Sequence, residues 1–221
     1  NVFILNPDTI IKSNTIENML LKIKNSNYRV IAPRLTNQKG AVQNSKWKFP
    51  SLLSTIFGLL YLDFLLIYKN YNLKKENAAF EVDCISGAAI FIRKSAALDA
   101  GLFNEDLFWD EDIDFCKKLA KKKYKILYFP KAEVIHYGGK SSDREPLIKI
   151  SNQFLSKIKY FKIHHSRIEQ ILIYLTILIV VVIKISILFL LSIFKPILIK
   201  KLNAYLKTLI LLLKRDFKVQ L

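Results

Sequence analysis

Asp110, Glu111, Asp112 and Asp114 crowd one short stretch, preceded by Phe108 and Trp109 and followed by Phe115 and Cys116. Like charges this close oppose one another's ionisation unless a cation, a helix N-terminus or a polar substrate lies against them. The spacing excludes a calcium loop. Counted from Asp110, Phe115 stands where such a loop needs Gly, and Lys121 where it needs a bidentate Glu. Two readings remain. In one, Asp110 caps a helix through Ile113, Cys116, Leu119 and Ala120, and the other acids complement its dipole. In the other, a carboxylate of the cluster moves a proton or meets a substrate.

Three further segments carry groups of comparable potential. The opening run predicts a short apolar strand through Leu5 that ends in Asn6-Pro7-Asp8. Strand tips of this kind are where open α/β sheets place ligand-binding groups, although Asn-Pro-Asp also describes an ordinary turn. The run Val82–Arg93 is strand-like but interrupted at Ser86-Gly87-Ala88, where the missing side chain of Gly87 admits a close approach to the backbone. Lys125–Pro130 and then Val134–Ser142 predict two more strands, the second carrying His136 just before a Gly/Ser loop. Taken alone, His136 is equally a hydrogen-bonded strand-end histidine, since hard cations prefer carboxylates.

In this order the segments resemble the inverting family 2 glycosyltransferases of the GT-A fold, most closely the rhamnosyltransferase-like branch that builds bacterial surface polysaccharides. The resemblance covers residues 1 to about 165 and implies an α/β, GT-A-like mixed sheet, with 1–150 the C-terminal part of the catalytic domain. It implies that Asp8 and His136 hold Mg²⁺ or Mn²⁺ on the diphosphate of a nucleotide-sugar donor. Asn6 departs from a strict Asp-x-Asp and leaves Asp8 as the carboxylate of that motif. By the same resemblance, Asn6, Gly87, Ala88 and Trp109 line the donor and acceptor pocket and Asp112 is the catalytic base. Glu111 then shapes the acceptor side or tunes its neighbour, and Asp114 is structural. The expected donor is dTDP-rhamnose, with a UDP-linked hexose or N-acetylhexosamine as the alternative, and the expected acceptor is a polyprenyl-diphosphate-linked glycan. In the family the first βαβ units precede the strand with which this chain opens. The expectation is therefore an incomplete nucleotide-binding half, a parallel sheet with an open apolar edge, and poor donor binding by this chain alone.

Lys and Arg number 35 against 18 Asp and Glu, a net charge of +17. That balance suits nucleic acid or an anionic membrane surface. The basic residues are dispersed, with no zinc-finger, RNP-like or helix-turn-helix pattern, so no nucleic-acid partner is expected. A membrane fits the C-terminal third. Residues 171–194 carry a single charge, Lys184, in a run long enough to span a hydrocarbon core. Lys157, Lys159, Lys162 and Arg167 precede the run, and Lys195, Lys200, Lys201, Lys207, Lys214 and Arg215 follow it. The positive-inside rule then puts both flanks on the cytoplasmic face of the cell membrane. Two arrangements satisfy this: a helical hairpin turning near Lys195-Pro196 with a second arm from Ile197 to Leu213, or one helix lying in the interface. Lys184 must snorkel or lie against protein. The expected organisation is thus a catalytic part over 1–150, a basic linker over 151–170 and membrane-associated helices over 171–221.

The apolar stretch Leu52–Tyr68, with Asp63 inside it, reads as an interfacial or acceptor-site helix or as a buried core helix. Cys84 and Cys116 read as buried free thiols of a reducing compartment. A competing non-catalytic reading makes the chain a membrane-anchored scaffold or remnant whose acidic cluster is only a helix cap and whose basic tail binds anionic lipid.

Overall fold

The computed structural model describes residues 1–62, 76–138 and 146–215. Asp63 to Tyr68 of the second apolar stretch, the Gly/Ser loop at 139–142 and the last six residues of the tail lie outside the described residues. The chain forms two compact units. One comprises Asn1–Phe49, Ile67–Asn104 and Glu111–Gly138, and the other Pro50–Leu66, Glu105–Asp110 and Gly139–Leu221.

The first unit is mixed α/β. Its strands are β1 (Val2–Leu5), β2 (Thr9–Ile11), β3 (Val30–Thr36), β4 (Lys46–Trp47), β5 (Phe80–Val82), β6 (Cys84–Ile85), β7 (Ala89–Ile92) and β8 (Ile126–His136). The main sheet runs β1-β7-β3-β8-β2, and β5 pairs with the first part of β8. Among the described residues only β3 and β8 pair in parallel; β1 and β3 each run antiparallel to β7, which makes β1, β3 and β8 co-directional. The expected parallel sheet is thus corrected in one respect. The open edge at β1 exists, but the neighbour of β1 is antiparallel.

The residues explain this layout. Val30, Ile31, Ala32 and Leu35 of β3 and Ile90, Phe91 and Ile92 of β7 are buried, which suits strands in the middle of a sheet covered on both faces. The two strands expected over Lys125–Ser142 are one. β8 continues through Pro130, and the register against β3 jumps from Phe129↔Pro33 to Glu133↔Arg34. Proline has no N–H for a ladder, so a bulge is where a strand tolerates it. The run Val82–Arg93 does the reverse and divides into β5, β6 and β7, with Ser86, Gly87 and Ala88 forming the turn into β7. Helix α1 (Thr15–Lys24) buries Met19 and Ile23 against Ile31, Leu127 and Phe129.

Two helices cover the other parts of this unit: α3 (Lys94–Ala100), ended by Gly101 at φ 86°, and α4 (Glu111–Lys121). In α4, Phe115, Cys116 and Leu119 are fully buried, and Phe115 stacks on Phe103 with ring centroids 4.6 Å apart. Acids fill its first turn and Lys118 and Lys121 its last, in the sense the helix dipole favours. Cys84 and Cys116 are buried and neither is in a disulfide. Burial, and then the hydrogen bond to Cys116, push the Cys84 thiol far up, so it is an inert core group.

The second unit is helical: α2 (Leu52–Leu59), α5 (Pro146–His164), α6 (Arg167–Ser192) and α7 (Ile199–Leu213). A reciprocal Ser51/Ser54 cap starts α2, which contains no buried residue; the part of this stretch from Asp63 lies outside the described residues. The stretch expected as a linker, 151–170, is helical: α5 extends to His164, and a Ser166/Glu169 capping box opens α6. After a 3₁₀ turn at Pro196–Leu198, α7 folds back on α6, and the Tyr174 hydroxyl near the start of α6 donates to the Leu212 carbonyl near the end of α7 at 3.0 Å. The tail is therefore a hairpin. At 26 residues α6 is long and apolar enough to cross a membrane, and only 28% of its most apolar window is buried.

Candidate active site

Five chain segments meet at one end of the main sheet. β1, β3 and β8 end there, while β7 and β2 begin there, because Leu5 pairs with Ala89 and Thr9 with His136. This is the carboxyl end of the co-directional strands, where α/β sheets place ligand groups because the strand tips diverge into loops.

Asp112 comes from the first turn of α4. Its Oδ2 accepts the Gly87 N–H at 2.9 Å and its Oδ1 the Ile113 N–H at 2.8 Å. A Cβ on Gly87 would stand 3.4 Å from Asp112 Cβ and 3.7 Å from its Oδ2, ordinary contacts, so only a side chain larger than alanine would press on the carboxylate. The turn is itself held in place. Ala88 N–H donates to Ser86 Oγ at 3.2 Å, Ser86 N–H to the Ser45 carbonyl at 2.9 Å, and Asn6 N–H to the Ala88 carbonyl at 3.1 Å. The carboxylate is half-buried at this position.

Asp8 and His136 face one another, with Oδ1 to Nε2 at 3.4 Å, and Tyr137 N–H donates to the Asp8 carbonyl at 2.9 Å. Gln43 fixes the imidazole. Its Nε2 donates to the His136 carbonyl at 2.9 Å, which turns its Oε1 toward His136 Nδ1, also at 2.9 Å. An amide oxygen only accepts, so Nδ1 carries the proton, and in the neutral ring the Nε2 lone pair points at a carboxylate oxygen. A carboxylate oxygen and a ring nitrogen so placed could hold a metal ion between them. Cis ligands about 2.1 Å from an octahedral ion lie roughly 3 Å apart, so the pair fits two positions of a small divalent ion. Among the described residues no cluster of three or more His, Cys, Asp or Glu is found. The remaining positions are those that Mg²⁺ ordinarily leaves to water and phosphate oxygens.

The structure thus brings Asn6, Asp8, Gly87, Ala88, Asp112 and His136 to one sheet end. Asn6 contributes through its backbone. Glu111 is half-buried at the start of α4, and Asp114 is fully buried and paired with Lys118 at 2.9 Å. Trp109 belongs to the helical unit. Asp110, read as a cap, sits at φ 64° just before α4 and places its carboxylate 3.3 Å from Lys157 Nζ. Gln43 escaped sequence reasoning because it belongs to no motif. The available signal was the Asn37–Gly40 turn, where the Asn37 side chain accepts the Lys39 and Ala41 N–H groups and Gly40 sits at φ 79°. That turn sends the following residues back along β3, with Gln43 N–H donating to the Leu35 carbonyl at 2.8 Å.

A glycine-seated carboxylate and a carboxylate–imidazole pair thus stand at the carboxyl end of the α/β sheet. No family model matches the chain. It is 27% identical over 175 residues to the low-salt glycan biosynthesis hexosyltransferase Agl10 of Haloferax volcanii, covering 76% of this chain and 54% of that protein. It is also 27% identical over 143 residues to the N-acetylglucosaminyl-diphospho-decaprenol L-rhamnosyltransferase of Mycobacterium tuberculosis, covering 62% of this chain and 46% of that protein. The chain spans about half the length of the curated relatives it matches. These similarities support a glycosyltransferase of glycan biosynthesis and no particular branch of such enzymes.

Gly87 offers a direct check on the Asp112 seat. Gly87→Val places methyl groups where the carboxylate now sits, and the expected result is loss of most transfer activity, about tenfold or more, with circular dichroism unchanged. Gly87→Ala, whose Cβ meets only an ordinary contact, should stay within about threefold of wild type. Equal activity of the Val variant would detach Gly87 from the site.

Proposed function

We propose that this chain provides the acceptor and metal side of an inverting, family 2, GT-A-type glycosyltransferase that acts at the cytoplasmic face of a membrane. The observation that carries the reading is the Asp112 carboxylate seated on the Gly87 N–H, at the same sheet end as the Asp8–His136 pair. The relatives' names support the reaction class, and one of them names a decaprenol-linked substrate and rhamnosyl transfer. The proposed donor is a nucleotide sugar, dTDP-rhamnose first, and the proposed acceptor a polyprenyl-diphosphate-linked glycan.

In the proposed step Asp112 takes the proton of an acceptor hydroxyl as that oxygen bonds to the anomeric carbon. The bond from that carbon to the donor phosphate oxygen breaks on the opposite face and the nucleoside diphosphate leaves, so the configuration inverts without a covalent enzyme intermediate. Asp8 and His136 would hold Mg²⁺ or Mn²⁺, which when bound neutralises charge developing on the departing diphosphate. Gln43 orients His136 for that role through Nδ1. The hairpin of α6 and α7 would keep this chemistry beside lipid-borne acceptors, since most of the apolar surface of α6 is not covered by protein.

The metal part is tested through Gln43. Gln43→Ala should raise the Mn²⁺ concentration giving half-maximal donor turnover by about 10–100-fold and leave the maximal rate at saturating metal nearly unchanged. Donor turnover that persists in EDTA would remove the metal from the reading. The whole assignment is tested by donor-panel assays of the full-length protein in membranes; turnover of no nucleotide sugar would favour the scaffold.

A further inference from the structure

We propose that a cavity within the helical unit binds the phosphate or diphosphate head of an anionic lipid. The cavity holds about 270 Å³, and every residue lining it belongs to that unit. Trp109, Asp110, Gln153, Lys157 and Lys184, with two tyrosines, supply its polar groups. The proposal deepens the membrane part of the proposed function and does not depend on Asp112 being the base.

Lys184 is the single charge in residues 171–194, where an unneeded lysine would be strongly disfavoured if α6 lies in lipid. Its ammonium lies 4.2 Å from the centroid of the Tyr61 ring, and no carboxylate of the described residues pairs with it. A cation over an aromatic face is held but keeps its hydrogen-bonding capacity for an anion. The Trp109 indole N–H is a second donor with an open valence, buried and without an acceptor among the described residues. Such an N–H costs free energy until an acceptor reaches it. Lys157 meets Asp110 only at 3.3 and 3.4 Å, and two ammonium side chains and Trp109 line the cavity with this one carboxylate. The missing partner is an anion with several acceptor oxygens, which describes a phosphate.

Size and surroundings specify the rest. The volume is slightly below that of pockets which enclose a whole drug-sized ligand, so it suits a head group. Leu59, Phe154 and Val180 are the apolar side chains of the wall, and on the neighbouring turns of α6 Ile179, Val182, Ile183 and Ile187 are exposed apolar side chains. A ligand with its phosphate at Lys184 could therefore lay an apolar chain along α6, which a free phosphate could not use.

The test uses the full chain in detergent, with Trp47→Phe leaving Trp109 as the only fluorophore of its kind. Farnesyl diphosphate, inorganic pyrophosphate and phosphatidylglycerol are titrated separately. Saturable change in Trp109 emission with farnesyl diphosphate or phosphatidylglycerol, weakened about tenfold or more by Lys184→Gln and unchanged by Lys207→Gln on the exposed side of α7, is the expected result. The stronger of the two lipids identifies the source of the head group. Pyrophosphate binding as tightly as farnesyl diphosphate would overturn the lipid assignment in favour of a free-phosphate site. An absent response, or one indifferent to Lys184→Gln, would overturn the site altogether. Because detergent replaces the bilayer, failure of the chain to associate with membranes would appear separately, as loss of flotation with vesicles.

Discussion

Asp112→Asn in the full-length protein should lower the transfer rate by about 10²–10⁴-fold, the contribution usual for a positioned general base, while donor binding stays largely intact. The amide is nearly isosteric and its oxygen can still accept the Gly87 N–H, although its NH2 then faces the Ile113 N–H and that bond is given up. What is lost is a group that can take the proton. The measurement pairs single-turnover kinetics with donor binding by titration calorimetry, because a base variant loses rate and a positioning variant loses affinity as well. Retention of more than a few per cent of turnover would exclude Asp112 as the base. Asp114→Asn distinguishes the two carboxylates of α4. Asp114 is fully buried against Lys118, so its loss should appear in stability rather than as a base-sized fall in rate.

Glu76→Ala should be the most destabilising simple substitution in the α/β unit, at about 3–5 kcal/mol. Lys46 is 1% exposed, and its ammonium lies 2.7 Å from Glu76 Oε1 and 4.2 Å from the centroid of the Tyr128 ring. The Tyr128 hydroxyl donates to Glu76 Oε2 at 2.9 Å, and Arg34 donates to the Glu76 carbonyl at 3.1 Å. Burial, and then the bond to Glu76, hold the Tyr128 hydroxyl above its ordinary pKa, so it stays protonated and keeps donating throughout the working range. Removing the carboxylate strands a buried ammonium, while the Tyr128 hydroxyl keeps the Glu76 carbonyl, 3.2 Å away, as an acceptor. The expected fall in Tm is about 10 °C or more, followed by Trp47 emission in a Trp109→Phe background. The double variant Lys46→Met, Glu76→Leu separates charge stranding from lost packing. It should recover most of the stability, because a buried ion pair is worth little more than an apolar pair of similar volume. If the double variant is as unstable as Glu76→Ala, packing rather than stranded charge is the cause.

The residue order carried much of this protein's organisation. The acidic cluster opening a helix, the strand ending at Asp8, the glycine interruption at Gly87 and the strand reaching His136 were all legible, since each is a local pattern of polarity and backbone permissiveness. The turn after a long apolar α6 was legible for the same reason, because Lys195-Pro196 can continue neither the apolar run nor the helix.

Tertiary structure alone decided which of those local signals share a place. That Gly87 and Asp112 touch depends on α4 packing Cys116 against β6, and that Asp8 meets His136 depends on β2 pairing with the far end of β8. Neither follows from spacing, because pairings between distant segments are chosen by the summed burial of whole strands and helices. The same holds for Gln43, Lys46 and Glu76, whose partners lie tens of residues away and whose own surroundings in sequence look like ordinary polar loop. It holds also for Asp110, which its neighbours mark as a helix cap and whose carboxylate meets Lys157 of the helical unit.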